Sequence, residues 1–470
     1  MRTCDVAVVG GGIAGLAAAW RLRSLGQDCV LFEAARAVGG KMRSERRDGY
    51  LVEHGPNSFL GSAKVLWRII ESVGLQGEVL PARKPAWRYV YRDRRARRLP
   101  LDPVSLLTGD YLSARGKLRL LCEPLVPGGA KGNDTAWQFA ERRLGREAAR
   151  YLMTPFVSGV YAGDVHQLSA RDAFPRLWNW EHAGGSVTVG ALLAPPEPTD
   201  PEDAGLPTRR GMYSFREGLG ALPRAIAQSL PTEAVRMGTP IASLESRDGG
   251  WLVSPHPTLA LDKAPVFARA VVVALPSQPA AELLGQIAPR AAQALAAVQT
   301  VRVAVVHVGG QDPQDVAPRG FGVLIPPGEG QRALGILFPS SVFDDRAPPG
   351  HCLHTGFFGG ACDPEAVDLP DDVLADLVVS ARGSAFASSA QLPDPTFVHV
   401  VRWRQAIPQY GVGHRARMAS LMHDVTAHWP GLALAGSHLE GVSVADSAAS
   451  GVRAVDALLA AGHGPLEART

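Results

Sequence analysis

The sequence predicts a mixed α/β fold that begins with a Rossmann-type nucleotide-binding unit, and three observations support this. An apolar run at 6–8 reads as a buried strand, and a glycine-rich turn at 10–15 leads from it into a helix rich in alanine and leucine. A second apolar run at 29–32 ends at Glu33. A strand, turn, helix and second strand closed by an acid together indicate a dinucleotide site, which isolated glycines would not.

Each part of the turn has a predicted role. Gly10 permits the tight turn, Gly12 lets a pyrophosphate approach the backbone, and Gly15 lets helix and strand pack closely. Glu33 stands at the right distance to hydrogen-bond a ribose. Free amides at the start of the helix then bind phosphate, so the predicted contacts are Gly10, Gly11, Gly12, Ile13, Ala14 and Gly15.

The residues after Glu33 read E-A-A-R-A-V-G-G-K-M-R-S. This string resembles the flavin amine oxidase superfamily, in which E-x-x-x-x-x-G-G-[RK] marks FAD binding. The resemblance implies noncovalent FAD, with Arg36, Gly40, Lys41 and Arg43 near the cofactor. Basic side chains here can neutralise phosphate charge, although a surface basic patch is the alternative for Arg36 and Lys41 taken singly.

Composition is that of a globular protein with several lobes. The chain has 470 residues, of which 46% are hydrophobic and 20% charged, and its net charge of +3 is too small to argue for nucleic-acid binding. Neither a leading apolar segment nor a membrane span is evident, so a cytoplasmic location is expected. The five cysteines are scattered, and no His, Cys or carboxylate cluster has metal-ligand spacing.

The order of elements predicts three lobes. We assign 1–80, 211–278 and 420–470 to an FAD-binding domain, and 81–100 with 279–419 to a substrate-binding domain with an antiparallel sheet. Residues 101–210 form a helical lobe. The predicted elements are a helix at 63–73, a hairpin at 87–99, an exposed loop at 194–210, paired strands around 235–241 and 251–253, a buried parallel strand at 270–275, strands at 301–308, 322–325, 333–338, 352–358 and 397–402, and a strand, turn and helix at 432–460.

Several blocks resemble a family within that superfamily, the oxygen-dependent protoporphyrinogen oxidases. They are EHGPNSFL (53–60), GVYAGDVHQLS (159–169), GFGVLIPP (320–327), LGILFPS (334–340), TGFFGG (355–360) and RWRQAIPQYGVGH (402–414). The resemblance covers essentially the whole chain and implies an amine oxidase-like fold. It also implies the oxidation of protoporphyrinogen IX to protoporphyrin IX by O2, with H2O2 as the second product.

The resemblance also implies which residues face the flavin. Asn57 is the candidate for positioning the ring, and no general base or other catalytic side chain is identified. The further predicted FAD contacts are Gly55, Pro56, Ser58, Ile241, Trp403, Gly436, Val442, Ser443 and Val444. The C-terminal block departs from the family pattern, because Ala445-Asp446-Ser447-Ala448 replaces an Asn-Asp-Cys-Ile run, and this departure bears on redox tuning and FAD affinity.

A porphyrinogen is a large apolar ring with carboxylates at one edge, so its pocket needs apolar walls and a cation at the rim. The resemblance implies that Leu324 and Leu337 sandwich one pyrrole ring, that Phe357 stacks on another, and that Arg88 pairs with a propionate. A backbone carbonyl of Gly159 or Gly163 is expected to guide the pyrrole N–H groups. The alternative is a packed core for the three apolar residues and a surface arginine for Arg88.

Other functions stay open at this point. Coproporphyrinogen III oxidation would share the same motifs, and the basic run at 83–98 could suit a substrate with four carboxylates. Another flavin amine oxidase and a non-redox binding protein of the same fold, such as the GDP-dissociation inhibitors, are the further alternatives. Leucines interleaved with basic residues at 103–126 are compatible with peripheral contact to the cytoplasmic membrane, or with an ordinary helical core. A homodimer is compatible with the sequence.

Overall fold

The computed structural model describes residues 2–84, 86–100, 103–129, 132–195, 206, 209–387 and 392–462. Most of the loop predicted at 194–210 lies outside these residues. The strands are β1 Arg2–Val9, β2 Cys29–Phe32, β3 Ser44–Arg47, β4 Tyr50–Glu53, β5 Phe59–Leu60, β6 Val79–Pro81, β7 Arg88–Arg92, β8 Arg95–Arg98, β9 Met212–Phe215, β10 Val235–Arg236, β11 Ile241–Arg247, β12 Gly250–Pro255, β13 Val266–Val273, β14 Thr300–Gln311, β15 Gly322–Leu324, β16 Gly335–Leu337, β17 His351–Gly359, β18 Phe397–Pro408 and β19 Leu432–Leu434.

The helices lie between and after these strands and make up most of the segment from 103 to 193. They are α1 Ile13–Ser24, α2 Lys64–Ser72, α3 Pro103–Thr108, α4 Ala114–Leu121, α5 Ala136–Leu144, α6 Arg146–Ala148, α7 Thr154–Tyr161, α8 Ala170–Ala173, α9 Pro175–Gly184, α10 Val187–Leu193, α11 Ala221–Ser229, α12 Ser277–Leu284, α13 Pro289–Ala296, α14 Pro339–Val342, α15 Asp371–Ala385, α16 His414–His428 and α17 Val444–Ala460.

A first sheet carries the nucleotide-binding unit. Its order is β10-β2-β1-β13-β12-β11, and β19 also pairs with β13. β10, β2, β1, β13 and β19 run parallel, whereas β11 and β12 form an antiparallel extension. Val6 and Val8 pack on one side of β1, against α1 and α17, while Ala7 and Val9 pack on the other against α12 and α16. Both faces are therefore buried, as a parallel sheet requires.

One part of the strand prediction is wrong. Residues 235–241 were expected to form a strand that pairs with 251–253. Instead Val235–Arg236 adds a parallel edge strand beside β2, and Ile241–Arg247 is the strand that pairs with β12. The glycine at 238, with a φ of 63°, separates the two strands, and its turn was not recognised in the sequence.

A second sheet has the order β18-β14-β17-β16-β15-β7-β8. It is antiparallel, as expected, except that β15 pairs in parallel with β7. The hairpin predicted at 87–99 supplies β7 and β8. Helix α15 covers one face of this sheet, where Val323, Ile336 and Phe358 are buried.

The division into three domains stays a prediction. Helices α12, α13 and α16 lie wholly or partly within the range assigned to the substrate-binding domain, yet all three contribute to the core of the first sheet.

Residues 103–193 are helical, as expected. Their packing includes a buried ion pair in which Arg143 donates to Glu123, and Ser186 donates to the same carboxylate at 2.6 Å. Burial raises the pKa of Glu123, but hydrogen bonds from Ser186, Thr188 and Val187 outweigh it and hold the pKa at about 2.

Candidate functional site

The glycine-rich turn forms an open cradle at the start of α1. Gly12 caps the helix without any side-chain hydrogen bond, so the amides of the first turn keep their donors for a ligand. A Cβ added at Gly12 would meet no atom within 4 Å, whereas one at Gly15 would lie 1.9 Å from the Gly10 carbonyl oxygen. Gly15 thus serves the packing of helix on turn, and Gly12 borders free space.

A second glycine turn closes on this cradle. Gly39 donates its N–H to the Gly11 carbonyl at 2.8 Å, and Gly39 and Gly40 have φ of 110° and 58°. A Cβ at Gly40 would lie 3.3 Å from the Gly12 Cα. Both glycines are needed because L side chains rarely adopt these angles and the backbones approach closely.

Glu33 directly follows β2 beside the cradle. Its carboxylate accepts the Gly11 N–H at 2.8 Å and the Ala35 N–H at 2.7 Å. The Thr239 N–H bonds to the Glu33 carbonyl at 2.8 Å, so the turn at 237–240 also borders this acid. Ile241, a predicted FAD contact, lies just beyond that turn at the start of β11 and packs against the core of the first sheet.

Lys41 brings a buried positive charge to the cradle. Burial lowers the pKa of its ammonium to about 8. Among the described residues, its ammonium has neither an acidic partner nor a hydrogen bond. Arg43 donates to the Ala37 carbonyl at 3.2 Å, and Arg36 is exposed. An open glycine cradle beside an uncompensated cation fits a diphosphate, and therefore a dinucleotide such as FAD.

The loop 54–58 connects the cradle to the second sheet. Gly55 packs against the Lys41 backbone, since an added Cβ would lie 2.6 Å from its carbonyl oxygen. Trp403 donates to the His54 carbonyl at 2.6 Å, and Asn57 donates to the Gly55 carbonyl at 3.1 Å. Asn57 and Leu337 line one small cavity. The predicted ring-positioning residue thus faces the second sheet, with Pro56 and Ser58 half-buried beside it.

The C-terminal loop 436–443 closes the other side. Gly436 donates to Ser450 at 3.0 Å, and His438 is buried within electrostatic reach of Lys41. Ser443 caps α17 and forms a reciprocal pair with Asp446, which donates its N–H at 3.0 Å. In the departing block, Asp446 therefore has a structural role. Val442 packs toward the helical lobe, and Val444 packs toward the first sheet.

The second sheet brings the predicted substrate residues onto one face. Leu324 stands opposite Gly335, which stands opposite Phe357. Gly322 stands opposite both Leu337 and Arg88. Directly opposed residues project to the same side of a sheet, so Arg88, Leu324, Leu337 and Phe357 share this face. Their side chains are only half-buried, unlike those on the face under α15.

Arg88 lies at the edge of this apolar face. Its guanidinium contacts the Met212 sulfur at 3.3 Å and lies 5.7 Å from the ring centre of Phe321. Burial lowers its pKa, and none of the acids that the structure describes pairs with it. Sequence reasoning missed Met212 and Phe321, because neither position carries a pattern that distinguishes it from core.

The GVYAGD segment covers the sheet face. Helix α7 contains Gly159, where an added Cβ would lie 2.4 Å from Leu324. Ala162, in the left-handed region, accepts the Ala361 N–H at 2.8 Å. Gly163 follows and packs against Gln409 and Leu168. Of the two glycines proposed to offer a carbonyl, Gly159 therefore lies against the predicted substrate wall and Gly163 lies beyond the helix.

The basic hairpin of β7 and β8 is largely neutralised. Arg92 pairs with Glu147 at 2.8 Å, and Arg97 pairs with Asp110 at 2.9 Å. Arg95 lies 3.6 Å from the same Asp110. The run is therefore a poor anchor for extra substrate carboxylates, in contrast to Arg88.

One group of possible metal ligands was not visible in the sequence. Glu45, His54 and His399 each place one ligand atom within 4.8 Å of the others. The prediction of no metal site rested on spacing along the chain, which cannot show residues that only the fold brings together. No helix in the part of the chain that the structure describes is long and apolar enough to cross a membrane.

Comparison with known proteins identifies the class. A family model described as flavin containing amine oxidoreductase matches residues 13–459, and the chain belongs to this family. Similar proteins within it are protoporphyrinogen oxidases. The Homo sapiens enzyme is 33% identical, with 97% of this chain and 98% of the relative covered. The mitochondrial enzyme of Nicotiana tabacum is 30% identical, with 97% and 94% covered.

The fold agrees with solved structures. A crystal structure of a protein from Exiguobacterium sp. 255-15, provisionally assigned as a protoporphyrinogen oxidase, superposes with a TM-score of 0.79 at 23% identity, covering 97% of this chain and 98% of that one. The predicted family, fold class and FAD cofactor are confirmed. The chain is an FAD-dependent oxidoreductase.

Proposed function

We propose that this enzyme oxidises protoporphyrinogen IX to protoporphyrin IX, with O2 as the acceptor and H2O2 as the second product. The observation that carries the proposal is the half-buried face of the second sheet, where Arg88 borders apolar side chains and pairs with none of the described acids. An apolar macrocycle with carboxylates at one edge matches this distribution. Relatives that bear the name protoporphyrinogen oxidase cover nearly the full chain.

The residues of the chain orient the substrate and exclude water. Leu324, Leu337 and Phe357 hold the ring against the sheet, and α7 shields it from solvent. Arg88 binds one propionate bidentately, which fixes the orientation of the ring in its plane. Asn57, in the loop at 54–58, aligns the flavin with that ring. When bound, FAD supplies the hydride acceptor and the route to O2.

The substrate proposal is tested with variants of Arg88. Arg88→Ala should raise KM for protoporphyrinogen IX about tenfold or more, with a smaller change in kcat, because the contact is lost in ground and transition states alike. Arg95→Ala, which removes an exposed arginine of the same hairpin, is the matched control and should leave KM unchanged. An unchanged KM in Arg88→Ala would remove Arg88 from the substrate site.

Peripheral membrane contact is a further part of the proposal. Leu118, Leu125 and Leu192 are 62%, 82% and 80% exposed, and α10 packs beside the turn that carries Leu125. Leu121 and Leu193, on α4 and α10, are also exposed. Arg115, which is exposed as well, lies on α4. Apolar side chains rimmed by basic residues suit the surface of an anionic membrane.

A flotation assay tests the membrane contact. The FAD-loaded enzyme should float with vesicles that contain anionic lipid at low salt, and Leu125→Ser with Leu192→Ser should reduce the bound fraction strongly. Leu259→Ser, at an exposed leucine outside the helical lobe, is the control. Equal flotation of the double variant and the control would contradict this surface.

A further inference from the structure

Three side chains with metal-binding atoms converge where the β3–β4 hairpin meets the second sheet. Glu45 lies on β3, His54 follows β4, and His399 lies on β18. The Glu45 Oε1 atom lies 3.3 Å from His54 Nε2 and 3.2 Å from His399 Nε2. All three atoms lie within 4.8 Å of one another.

Hydrogen bonding does not account for this arrangement. His54 Nε2 and His399 Nε2 are buried atoms without a hydrogen-bond partner among the described residues. Glu45 Oε1, also buried and without a hydrogen bond there, has an ion pair with the exposed Arg47 at 2.9 Å. Polar atoms shielded from water are costly without partners, so two such nitrogens facing one carboxylate oxygen favour a cation that all three can coordinate.

We propose that Glu45, His54 and His399 form a binding site for a divalent metal ion of the Zn²⁺ class. Two imidazole nitrogens and one carboxylate oxygen are a preferred Zn²⁺ donor set, with a fourth position open to water. Tetrahedral bonds of 2.0–2.1 Å separate neighbouring ligand atoms by about 3.3 Å, which matches the two Glu45–histidine distances. This site does not depend on the identity of the porphyrinogen.

The backbone holds the site in place. The His54 N–H donates to the Arg43 carbonyl at 2.9 Å, and its carbonyl accepts from Trp403. His399 stacks on the buried His307, whose Nε2 atom is engaged by the Glu53 carbonyl and therefore is not a ligand. The surrounding chain thus orients two ligands in advance, as outer contacts do at metal sites.

One cation competes for the carboxylate. Arg47 Nε lies 2.9 Å from Glu45 Oε1, and its Nη1 atom lies 3.4 Å from His399 Nδ1. The Arg47 side chain is 53% exposed, so it can turn into solvent when a metal ion enters. Asp371 also lies near His399, but its carboxylate is paired with Arg402 at 2.7 Å. Metal binding therefore replaces the arginine, and the two cations exclude each other.

A bound ion would join the β3–β4 hairpin and the residue after it to β18, which is distant along the chain. His54 is the first residue of the loop 54–58 that carries Asn57, and His399 belongs to the sheet that carries the proposed substrate face. The ion is therefore expected to hold the loop 54–58 against the second sheet. Because it binds only the folded state, it should also raise the melting temperature of the FAD-loaded enzyme.

The test is calorimetric titration of chelator-treated, FAD-loaded enzyme with ZnCl2. The wild type should bind one ion, and both Glu45→Gln and His399→Gln should weaken binding by about 100-fold or more, since even outer contacts contribute 10–100-fold. His423→Gln, at an exposed histidine of α16, is the matched control and should bind as the wild type does.

Arg47→Ala provides a second test that does not disturb the ligands. This variant should bind Zn²⁺ more tightly than the wild type, because the competing guanidinium is gone. Zinc K-edge absorption should report two imidazoles in the coordination shell. Binding that is equal in the wild type, Glu45→Gln and His399→Gln, or weaker in Arg47→Ala, would overturn the proposal. Flavin absorbance verifies the fold of each variant.

Discussion

The buried ammonium of Lys41 leads to a prediction in which stability and cofactor affinity move in opposite directions. Burial lowers its pKa from 10.5 to about 8, and no acid that the structure describes compensates the charge. Replacing Lys41 by Met should therefore stabilise the apoprotein and weaken FAD binding. The same charge that destabilises the empty cradle is expected to meet the diphosphate.

The magnitude follows from the shift in pKa. A difference of 10.5 against about 8 corresponds to about 3 kcal/mol at 1.36 kcal/mol per unit. The folded pKa lies below the unfolded one, so the destabilisation is complete below pH 8 and vanishes above about pH 10.5. Lys41→Met should accordingly gain up to about 3 kcal/mol at pH 7 and nothing at pH 11.

Two assays measure the two effects. Urea unfolding of the apoprotein at both pH values gives the free energy of unfolding, and quenching of flavin fluorescence gives the FAD dissociation constant. Affinity should fall about 10- to 100-fold, since a hydrogen bond to a charged group contributes about 1.5–3 kcal/mol. Lys64→Met, at a partly buried lysine on α2, is the control for loss of a lysine.

Two results would contradict the prediction for Lys41. A Lys41→Met apoprotein that is less stable than the wild type at pH 7 would mean that the ammonium is not an uncompensated charge. Unchanged FAD affinity would mean that Lys41 does not contact the diphosphate. The first result would contradict the predicted gain in stability, and the second would contradict the predicted contact with the cofactor.

Three further predictions concern Gly12, Ser443 and Glu53. Gly12→Ala should weaken FAD binding at least about tenfold, because the new Cβ would occupy the space through which the pyrophosphate approaches the backbone. The apoprotein should lose no stability, since that Cβ meets no protein atom within 4 Å and the φ of −73° is ordinary for alanine. Flavin titration and thermal melting measure the two effects. Ser443→Ala should lower the free energy of unfolding by about 1 kcal/mol, since the capping pair with Asp446 is lost; unchanged urea midpoints would contradict this. Burial raises the pKa of Glu53 from 4.5 to about 7. The folded state is therefore most stable below pH 4.5, where the carboxyl is protonated in both states, and it loses free energy of unfolding as the pH rises to 7. Relative to Glu53→Gln, the wild type should lose about 3 kcal/mol between pH 4.5 and 8, and parallel pH profiles would refute the assignment.

Local chemistry made much of the fold predictable. The turn at 10–15 and the acid at 33 belong to consecutive elements of one strand–turn–helix–strand unit, so the local order of residues predicts that unit. The helix expected at 63–73 and the hairpin at 87–99 also follow local signals, and both are confirmed. By contrast, the short edge strand β10 is two residues long, too short for any periodicity to show.

The site itself depends on contacts between distant residues. Arg88 faces the same way as Leu337 only because β7 pairs in parallel with β15, which a sequence pattern does not specify. The approach of His399 to Glu45 likewise depends on how β18 packs beside β3. Family motifs indicated which residues matter, while the fold supplies the register that brings them together.

A comparison of two substrates tests the proposed function of the enzyme most directly. FAD-loaded enzyme would be incubated in air with protoporphyrinogen IX and, separately, with coproporphyrinogen III, while porphyrin fluorescence is followed against a sample without enzyme. We predict faster oxidation of protoporphyrinogen IX, and a KM for it that rises in Arg88→Ala. Preference for coproporphyrinogen III, or no enzymatic oxidation of either compound, would contradict the proposed function.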